Sequence, residues 1–493
     1  MDSIKNKPSF YITTPIFYPN GDLHIGHAYT SSICDILARI ARINDIPTYF
    51  LTGADENSLK IENKAKEMNV SVSEYLDIQA KRTQVLFEEL NISYDQYIRT
   101  TDRSIHHPGA IALWRRLKDK GDIYEHQYKG FYCVGCEGFK TEKDLINGQC
   151  PDHGKVDYIE EKNYFFKLSK YASKIKEVIQ DGTIKIFPEA RKNEILSFID
   201  QGVEDISFSR PYKGQANAIL VPDDETQSIY VWCDALVNYI SALGFGSLGQ
   251  ELPESPYNIF WNNDNAQNVH VIGKDILKFH TIIWPAMLLS AELPLPKNIV
   301  IHGLMMSGGR KMSKTLGNVI SPADIIAKVK PEGLRFYFAN NIPLFDDGEI
   351  TDDLIVSVYN SYLSNGIGNL TNRLIKMMIS YDVIVEFKNI QDSEYFKKIK
   401  DLSINTLYTF DINQYSNFLW KELNSIDIDI QNKEPFKLFK ENPEEAKKIV
   451  AELIYKFYII IHFIYPILPN TVSKIISHIQ NREMPKEPLF PRI

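Results

Sequence analysis

Residues 10–29 read FYITTPIFYPNGDLHIGHAY, and this stretch decides the fold of the 493-residue chain. Its first five residues are apolar or β-branched and predict a strand. After a turn, His24-Ile25-Gly26-His27 opens a second run, in which apolar residues recur at helical spacing from about residue 26 to residue 44. A strand that leads through a turn into a glycine at a helix start is typical of the places where open α/β sheets hold phosphate groups.

A second basic motif lies almost three hundred residues further along the chain. Lys311-Met312-Ser313-Lys314-Thr315 follows another apolar run, residues 299–301, and glycines on both sides of the motif predict an open loop. Taken alone, either motif is more often a polar helix start or a solvated loop than a binding site. Together and in this order, they suggest one triphosphate held from two sides, with lysines that neutralise charge developing on a pyrophosphate leaving group.

The alternation of strand and helix patterns divides the chain. Up to about residue 115 the pattern is that of β-α-β units, which implies a parallel sheet. Between residues 118 and 222 aromatic residues, glycines and cysteines replace this pattern, so we interpret the segment as a domain inserted into the sheet domain. The α/β pattern then resumes, with strands predicted at 229–231, 269–272 and 299–301 and a helix from 276 that tolerates Pro285. Beyond about residue 353 helical patterns run to the end, which predicts a C-terminal bundle.

Composition limits the functions that the chain can have. The formal net charge is −8, so any nucleic acid must be held by a local basic patch rather than by overall attraction. The longest apolar stretch is too short to span a bilayer, and the N-terminus has no targeting segment. We therefore expect a cytoplasmic location and no membrane partner.

Three of the five cysteines cluster with a histidine. Cys133 and Cys136 form a CxxC pair, Cys150 and His153 form a CxxH pair, and thirteen residues separate the pairs. This spacing and these ligand types predict a tetrahedral zinc knuckle. Four protein ligands leave no open position for water or substrate, so we expect one zinc ion with a structural role. Cys34 and Cys233 are left over and are expected to be buried.

The two basic motifs resemble the HIGH and KMSKS motifs of class I aminoacyl-tRNA synthetases, the second ending here in Thr315. Further stretches are similar to the methionyl-tRNA synthetases from about residue 9 to 340, and more weakly to about 470. They are residues 13–29 (TTPIFYPNGDLHIGHAY), 52–60 (TGADENSLK), 191–198 (RKNEILSF), 230–239 (YVWCDALVNY), 272–280 (IGKDILKFH) and 302–320.

The resemblance implies a set of site residues. The catalytic residues would be His24, His27, Lys311 and Lys314. The ATP-binding residues would be His24, Gly26, His27, Gly273, Asp275, Lys311, Ser313 and Lys314, with Mg²⁺ accompanying ATP. An acid, Asp55, would hold the amino group of methionine, and apolar and aromatic residues would surround its thioether, a soft group that suits aromatic faces. These pocket residues would be Ile16, Tyr18, Trp232, Ala235, Leu236, Tyr239, Ile276 and His280.

The chain departs from the family pattern at several positions. Asn57-Ser58 replaces a His-Gly pair after the acid, which puts the following turn in doubt, and residues 215–222 lack the usual Trp-Gly-Ile-Pro-Val-Pro stretch. The resemblance places anticodon contacts of the tRNA at Asn369 and Arg373, four residues apart and so on one helix face. Phe436 stands where the family has tryptophan after a proline, and it can still stack on a base.

We therefore expect an α/β fold: a Rossmann-type parallel-sheet catalytic domain, a zinc-knuckle insertion and a C-terminal α-helical bundle. The expected segments are 1–117 (first half of the catalytic domain), 118–222 (insertion), 223–322 (second half, with the lysine loop), 323–355 (stem contact) and 356–493 (anticodon-binding helices). The implied reaction joins methionine to its tRNA through methionyl-adenylate, and the chain is expected to be a monomer.

Two alternatives stay open from the sequence. A cysteinyl-tRNA synthetase would place its zinc in the amino-acid pocket, next to His24. A catalytically silent tRNA-binding or scaffold protein could use the same fold, although the intact histidine and lysine motifs argue against it.

Overall fold

The structure, a computed structural model, describes residues 7–57, 59–133, 138–140, 142, 145–151, 154–247, 249–312, 320–387 and 389–493. The strands in chain order are β1 (Ser9–Thr13), β2 (Thr48–Ala54), β3 (Gln96–Arg99), β4 (Ile123–Cys133), β5 (Gly138–Lys140), β6 (Asp157–Phe166), β7 (Lys185–Phe187), β8 (Ile206–Ser207), β9 (Ser209–Pro211), β10 (Leu220–Val221), β11 (Asp224–Ile229), β12 (Ala266–Gly273), β13 (Asn298–His302), β14 (Met305–Ser307), β15 (Arg310–Lys311) and β16 (Gly348–Glu349).

The α-helices are α1 (Ile25–Ile43), α2 (Leu59–Glu67), α3 (Val72–Glu89), α4 (His106–Asp119), α5 (Ala172–Gln180), α6 (Glu189–Asp200), α7 (Val231–Leu236), α8 (Asn238–Ser241), α9 (Pro256–Phe260), α10 (Trp284–Ser290), α11 (Pro322–Asn341), α12 (Asp352–Val358), α13 (Asn369–Ser380), α14 (Glu394–Thr409), α15 (Ile412–Lys433), α16 (Pro435–Glu441), α17 (Pro443–Ile464) and α18 (Pro469–Asn481). Among the described residues, π-helical segments at Phe279–Ile283 and Tyr359–Gly368 and 3₁₀ turns at Leu168–Tyr171, Lys274–Ile276 and Ile390–Asp392 join them. In the described part of the chain, no helix is both long and apolar enough to cross a membrane.

A six-stranded sheet forms the centre of the molecule. Its order is β3-β2-β1-β12-β13-β7, and every neighbouring pair is parallel. The two halves of the chain meet at β1 and β12, where Ile12 lies opposite Val269. Parallel strands need crossover connections, and helices supply them here, so the predicted Rossmann-type arrangement is confirmed.

Successive side chains along each strand point to opposite faces of the sheet and pack into two separate hydrophobic cores. On β1, Phe10 and Ile12 face one side of the sheet and Tyr11 faces the other. The first core joins α1 to α11 and the C-terminal helices, whereas the second joins α4 and α10 to the opposite face. The sheet is therefore covered on both faces, which is why its strands are almost continuously apolar.

The prediction of a strand at residues 229–231 is wrong. The strand ends at Ile229 and belongs to a small antiparallel sheet, β10-β11-β9, instead of the parallel one. Val231 begins α7, and the amide of Asp234 donates to the carbonyl of Tyr230 at 3.0 Å. A run of three apolar residues carries too little periodicity to separate a strand end from a helix start.

The helix predicted from residue 276 is confirmed, although its geometry is not uniform. It consists of a 3₁₀ turn, a π-helical turn and α10, which begins at Trp284. Pro285 lies in the first turn of α10, where its missing amide hydrogen costs nothing. The proline therefore lies within a continuous helical run, as predicted.

The segment 118–222 is partly built as predicted. It contains an antiparallel sheet of order β5-β4-β6-β8, in which Ile123 pairs with Phe166 and Tyr132 pairs with Asp157. However, β7 of this segment pairs with β13 and so forms an edge of the parallel sheet. Three residues, Lys-Ile-Phe, gave no pattern that could reveal this strand. The division into five domains itself stays a prediction.

A buried ion cluster joins the sheet domain to the C-terminal helices. Arg335 of α11 is fully buried, contacts Asp35 of α1 at 2.7 Å, and donates to the carbonyls of Pro466 and Ile467, between α17 and α18. Burial alone would raise the pKa of Asp35, but the guanidiniums of Arg335 and Arg39 and hydrogen bonds from Ser93 hold it below its usual value. The charges are thus paired out of water, which is the condition for burying them.

Candidate active site

One cavity of about 540 Å³ opens where the parallel strands end. Residues that follow β1, β2, β12 and β13 line it, which is where ligands bind in open α/β sheets. All nine residues predicted for methionine line this cavity: Ile16, Tyr18, Asp55, Trp232, Ala235, Leu236, Tyr239, Ile276 and His280. The predicted ATP residues His24, Gly26, His27, Gly273 and Asp275 line it too.

The histidine motif forms the start of α1. His24 is the N-cap, and its Nδ1 accepts from the amide of Gly26 at 3.1 Å, while its own amide donates to Nδ1 of His27 at 3.1 Å. The two imidazoles stack with ring centroids 3.8 Å apart. Because each Nδ1 accepts a hydrogen bond, each neutral ring carries its hydrogen on Nε2. The motif therefore orients two Nε2–H donors at a helix N-terminus, an arrangement that suits an anion.

Position 26 has no room for a side chain. A Cβ on Gly26 would lie 3.0 Å from Cε1 of His24, so a side chain there would displace the imidazole. The glycine thus keeps the capping ring in place.

The lysine motif begins at the same cavity. The β14-β15 hairpin ends at Lys311, and Met312 lines the cavity with His24 and His27. The described residues therefore place the start of this segment beside the imidazoles. Ser313, Lys314 and Thr315 lie outside the described residues, as does the side chain of Lys311.

A carboxylate holds the turn of this hairpin. Gly308 and Gly309 have φ of 62° and 71°, values that glycine adopts without strain. Their amides donate to the two oxygens of Glu349 at 2.6 and 3.1 Å. Glu349 lies on β16, which pairs with β14. The position of the lysine segment thus depends on a strand that follows it by some forty residues.

Tyr239 and His280 form a hydrogen-bonded pair in the wall of the cavity. His280 Nδ1 lies 3.0 Å from the carbonyl of Ile276, which can only accept, so this nitrogen carries the hydrogen. Nε2 then accepts from the Tyr239 hydroxyl at 2.7 Å. Burial lowers the pKa of His280 to about 4 and raises the pKa of Tyr239, so both groups are neutral at pH 7.

The rest of this end of the cavity is mostly apolar, and Asp55 is its acid. Trp232 stacks on Phe279 with centroids 3.7 Å apart, on the π-helical turn that also carries His280. Asp55 follows β2 and is 4% exposed. A buried carboxylate beside an apolar wall suits a ligand with an ammonium group and an uncharged side chain.

Sequence reasoning missed Thr30 and His302, which also line the cavity. His302 Nδ1 lies 2.7 Å from the carbonyl of Gly303, and Nε2 lies 2.9 Å from Oγ1 of Thr30. Burial lowers the pKa of His302, so the ring is neutral and Nε2 accepts from Thr30. This pair joins α1 to the end of β13. The position of His302, directly after a predicted parallel strand, was the signal that could have found it.

The predicted metal ligands are only partly described. Cys133 and Cys150 are buried, and the main chains of Cys150 and Gly154 exchange two hydrogen bonds of 2.7 and 2.8 Å that close a tight turn. Cys136 and His153 lie outside the described residues, so the zinc site stays a prediction. Neither Cys133 nor Cys150 lines the cavity. Of the leftover cysteines, Cys34 and Cys233 are buried, as expected.

The predicted anticodon residues lie on the C-terminal helices. Asn369 and Arg373 are one turn apart on α13, and Arg373 forms an ion pair with Asp427 of α15. Phe436 follows Pro435 at the start of α16 and is 49% exposed, so its ring is accessible to a partner.

Comparison with known proteins identifies the family. A model of the class I (M) tRNA synthetases matches residues 10–158 and 144–375. The chain is 37% identical over 484 residues to a methionine–tRNA ligase of Clostridium acetobutylicum, covering 96% of this chain and 73% of the relative. It is 38% identical over 481 residues to that of Campylobacter jejuni, covering 94% and 74%.

Solved structures agree with these relatives. Methionyl-tRNA synthetase of Mycobacterium tuberculosis in complex with methionyl-adenylate superposes with a TM-score of 0.87 at 30% identity, covering 98% of this chain and all of that one. Its free form gives a TM-score of 0.82 at 27% identity. With the family match, the relatives and the shared architecture taken together, this chain belongs to the methionyl-tRNA synthetases of class I.

Proposed function

We propose that the cavity at the ends of β1, β2, β12 and β13 is where this chain carries out the reaction of its family. Methionine and ATP form methionyl-adenylate and pyrophosphate, and methionine then passes to the 3′-terminal adenosine of its tRNA. One observation carries the assignment of the site: the histidine motif, Met312 of the lysine motif and all nine expected methionine residues line the same cavity.

The phosphate chain of ATP binds at the start of α1. His24 and His27 donate through Nε2 to phosphate oxygens, since each Nδ1 is used by the main chain. Lys311, Ser313 and Lys314 are proposed to contact the same phosphates, since Met312 of their motif lines the cavity. Their charges stabilise the pyrophosphate as it leaves, when its charge is greatest.

The ribose of ATP binds at the end of β12. Gly273 ends the strand, and a Cβ there would lie 2.6 Å from Oδ1 of Asp275. A glycine at this position lets the nucleotide approach the main chain, and the nearby carboxylate accepts from a ribose hydroxyl.

Methionine binds at the other end of the cavity. Asp55 pairs with its ammonium group, and Ile16, Tyr18, Ala235, Leu236 and Ile276 surround its side chain. Trp232 provides a flat face for the sulfur, which is polarisable and favours aromatic contacts. The Tyr239 hydroxyl donates to His280, so the pair is fixed and presents no charge to the thioether.

The first step requires positioning rather than proton transfer. The carboxylate of methionine is ionised at neutral pH and attacks the α-phosphate in line, so no general base is required. The chain contributes alignment of the two substrates and stabilisation of the leaving charge. Mg²⁺ accompanies ATP and offsets part of the charge of the triphosphate.

The zinc ion and the tRNA anticodon are proposed to bind away from this cavity. Cys133, Cys136, Cys150 and His153 are proposed to hold one structural zinc ion, a role that suits the burial of both described cysteines. Asn369, Arg373 and Phe436 are proposed to contact the anticodon. The ion pair with Asp427 would then have to open, or be shared, when Arg373 meets RNA. We also propose that the chain works as a monomer in the cytoplasm.

Amino-acid-dependent exchange of pyrophosphate into ATP tests the proposal. Exchange should appear with methionine and not with the other amino acids, including cysteine. Lys314→Ala should slow exchange by about 10²-fold with little change in the KM for methionine, because the lysine acts on the leaving group. Lys328→Ala is the control, since Lys328 follows the loop but pairs with Asp352. No exchange in a folded, zinc-loaded sample would leave only the scaffold alternative.

A further inference from the structure

A second large cavity lies outside the proposed active site. It is a groove of about 720 Å³ between one face of α4 and the segment 218–220. Its floor is apolar, formed by Pro108, Ile111, Ala112 and Leu220 among others. Gly246 closes one side, and a Cβ there would lie within 2.9 Å of the α4 main chain, so that end of the groove has no side chain.

The groove carries positive charge without a counterion. Arg103 and Arg115 line it, both are exposed, and neither has a hydrogen-bond or ion-pair partner in the described part of the chain. No aspartate or glutamate is among its lining residues. The neighbouring Arg116 differs, because it packs over the Phe245 ring at 5.3 Å and donates to a main-chain carbonyl.

His107, between the two arginines in the groove wall, has an unused hydrogen-bonding atom. Within the described residues its Nε2 is shielded from water and has no partner. Since the same ring donates to the main chain of Thr100, Nε2 is left as an acceptor, which suits a hydroxyl or amino group of a ligand. In a chain of net charge −8, an acid-free groove with two uncommitted arginines points to an anionic partner.

A chain of contacts links the groove to the active-site cavity. His106, next to His107, is fully buried and contacts Asp234 of α7 at 2.6 Å. Asp234 also accepts from Asn57 at 3.0 Å, two residues after Asp55. α7 carries Trp232, Ala235 and Leu236 of the methionine pocket.

The chemistry of the groove suits unpaired nucleotides. Arginines bind phosphates, and an apolar floor receives the faces of bases, which is how single-stranded RNA is commonly held. The volume is that of a pocket for a small ligand, which corresponds to roughly one or two nucleotides rather than a duplex. We propose that the groove binds the unpaired nucleotides next to the 3′-terminal adenosine of the tRNA, while that adenosine enters the active-site cavity. This inference rests on the function proposed above.

The double variant Arg103→Ala/Arg115→Ala tests the groove. It should lower kcat/KM for tRNA in charging by at least about 10-fold and leave methionine-dependent pyrophosphate exchange unchanged. The unchanged exchange also shows that the variant folds. If both arginines neutralise phosphates of a single strand, the plot of log binding constant against log salt concentration should become less steep by about 1.4 in the double variant. Arg116→Ala, on α4 like Arg115 but outside the groove, is the matched control.

A shortened tRNA identifies which part of the RNA is bound. With the unpaired 3′ nucleotides removed, the original chain and the double variant should bind the tRNA equally. Equal weakening of intact and shortened tRNA by the double variant would place the contact elsewhere on the RNA and overturn the proposal. Unchanged charging and binding would overturn it as well. A failure of methionine-dependent exchange in the original chain would instead refute the proposed function, and the binding comparison does not depend on it.

Discussion

Lowering the pH from 7 to 5 is predicted to destabilise the chain through His280, and His280→Gln should remove that part of the loss. The ring is buried and neutral, with Nδ1 donating to Ile276 and Nε2 accepting from Tyr239. Glutamine is the matched replacement, because its amide can donate to the same carbonyl and its oxygen can accept from the same hydroxyl, yet it does not titrate.

The direction and size of this loss of stability follow from the pKa of His280 in the folded chain and its pKa in the unfolded chain. Burial lowers the pKa of His280 from 6.5 to about 4, so between these values the unfolded chain binds a proton that the folded chain does not. The stabilisation is present above pH 6.5 and is lost as the pH falls towards 4. Fully developed, the loss is about 3 kcal/mol, and at pH 5 it is about 2 kcal/mol relative to pH 7.

Urea unfolding at pH 7 and pH 5, followed by tryptophan fluorescence, measures the effect. The free energy of unfolding should fall by about 2 kcal/mol more in the original chain than in His280→Gln. His270 and His302 are present in both chains, so their contributions cancel in the comparison. Between pH 8 and pH 7 the two chains should change alike. An equal loss between pH 7 and pH 5 would mean that His280 is protonated in the folded chain, and the hydrogen-bond assignment would fail.

Three further changes test other parts of the structure. Glu349→Ala releases the amides of the hairpin turn and should raise the KM for ATP in pyrophosphate exchange about five-fold, while the KM for methionine stays unchanged. Glu349→Gln should restore part of the loss. An equal rise in both KM values would contradict a role limited to the lysine hairpin. Gly303→Ala places a Cβ 1.9 Å from the carbonyl oxygen of Asp346 and should lower stability by about 2 kcal/mol or more, measured as a fall in the melting temperature; an unchanged melting temperature would show that the two segments move apart freely. Arg373→Ala should weaken tRNA charging while sparing pyrophosphate exchange; equal damage to both steps would make the arginine structural.

Helices and strands whose apolar residues follow one clear pattern could be predicted from the sequence. The 19 residues of α1 keep their apolar positions at helical spacing, and the apolar runs of β1, β12 and β13 lie within one residue or a few of the predicted positions. The residues expected around methionine were identified by resemblance, and the fold brings all of them to one cavity because the parallel strands end at one edge.

The wrong or missing predictions concern short segments whose structure depends on residues far away in the sequence or on a change of helix type. β7 has only three residues, and its place beside β13 depends on a long-range pairing that no local pattern reveals. The π-helical turn at His280 has the same residue types as an α-helix, so its extra residue per turn is invisible in the sequence. His302 and Thr30 were missed because their pairing joins positions 272 residues apart.

The buried position of Arg335 means that the C-terminal helices are not a detachable module. A chain cut before residue 465 would lose the Pro466 and Ile467 carbonyls that accept from the guanidinium, and Glu332 would lose the amides of Asn470 and Thr471. The fragment would keep the charges of Arg335 and Glu332 in a cavity opened to solvent, next to α1, which also carries the capping His24. Attempts to obtain a minimal activating enzyme by trimming should therefore retain α17, α18 and the turn between them, and proteases should release the helical half only after the whole molecule has unfolded.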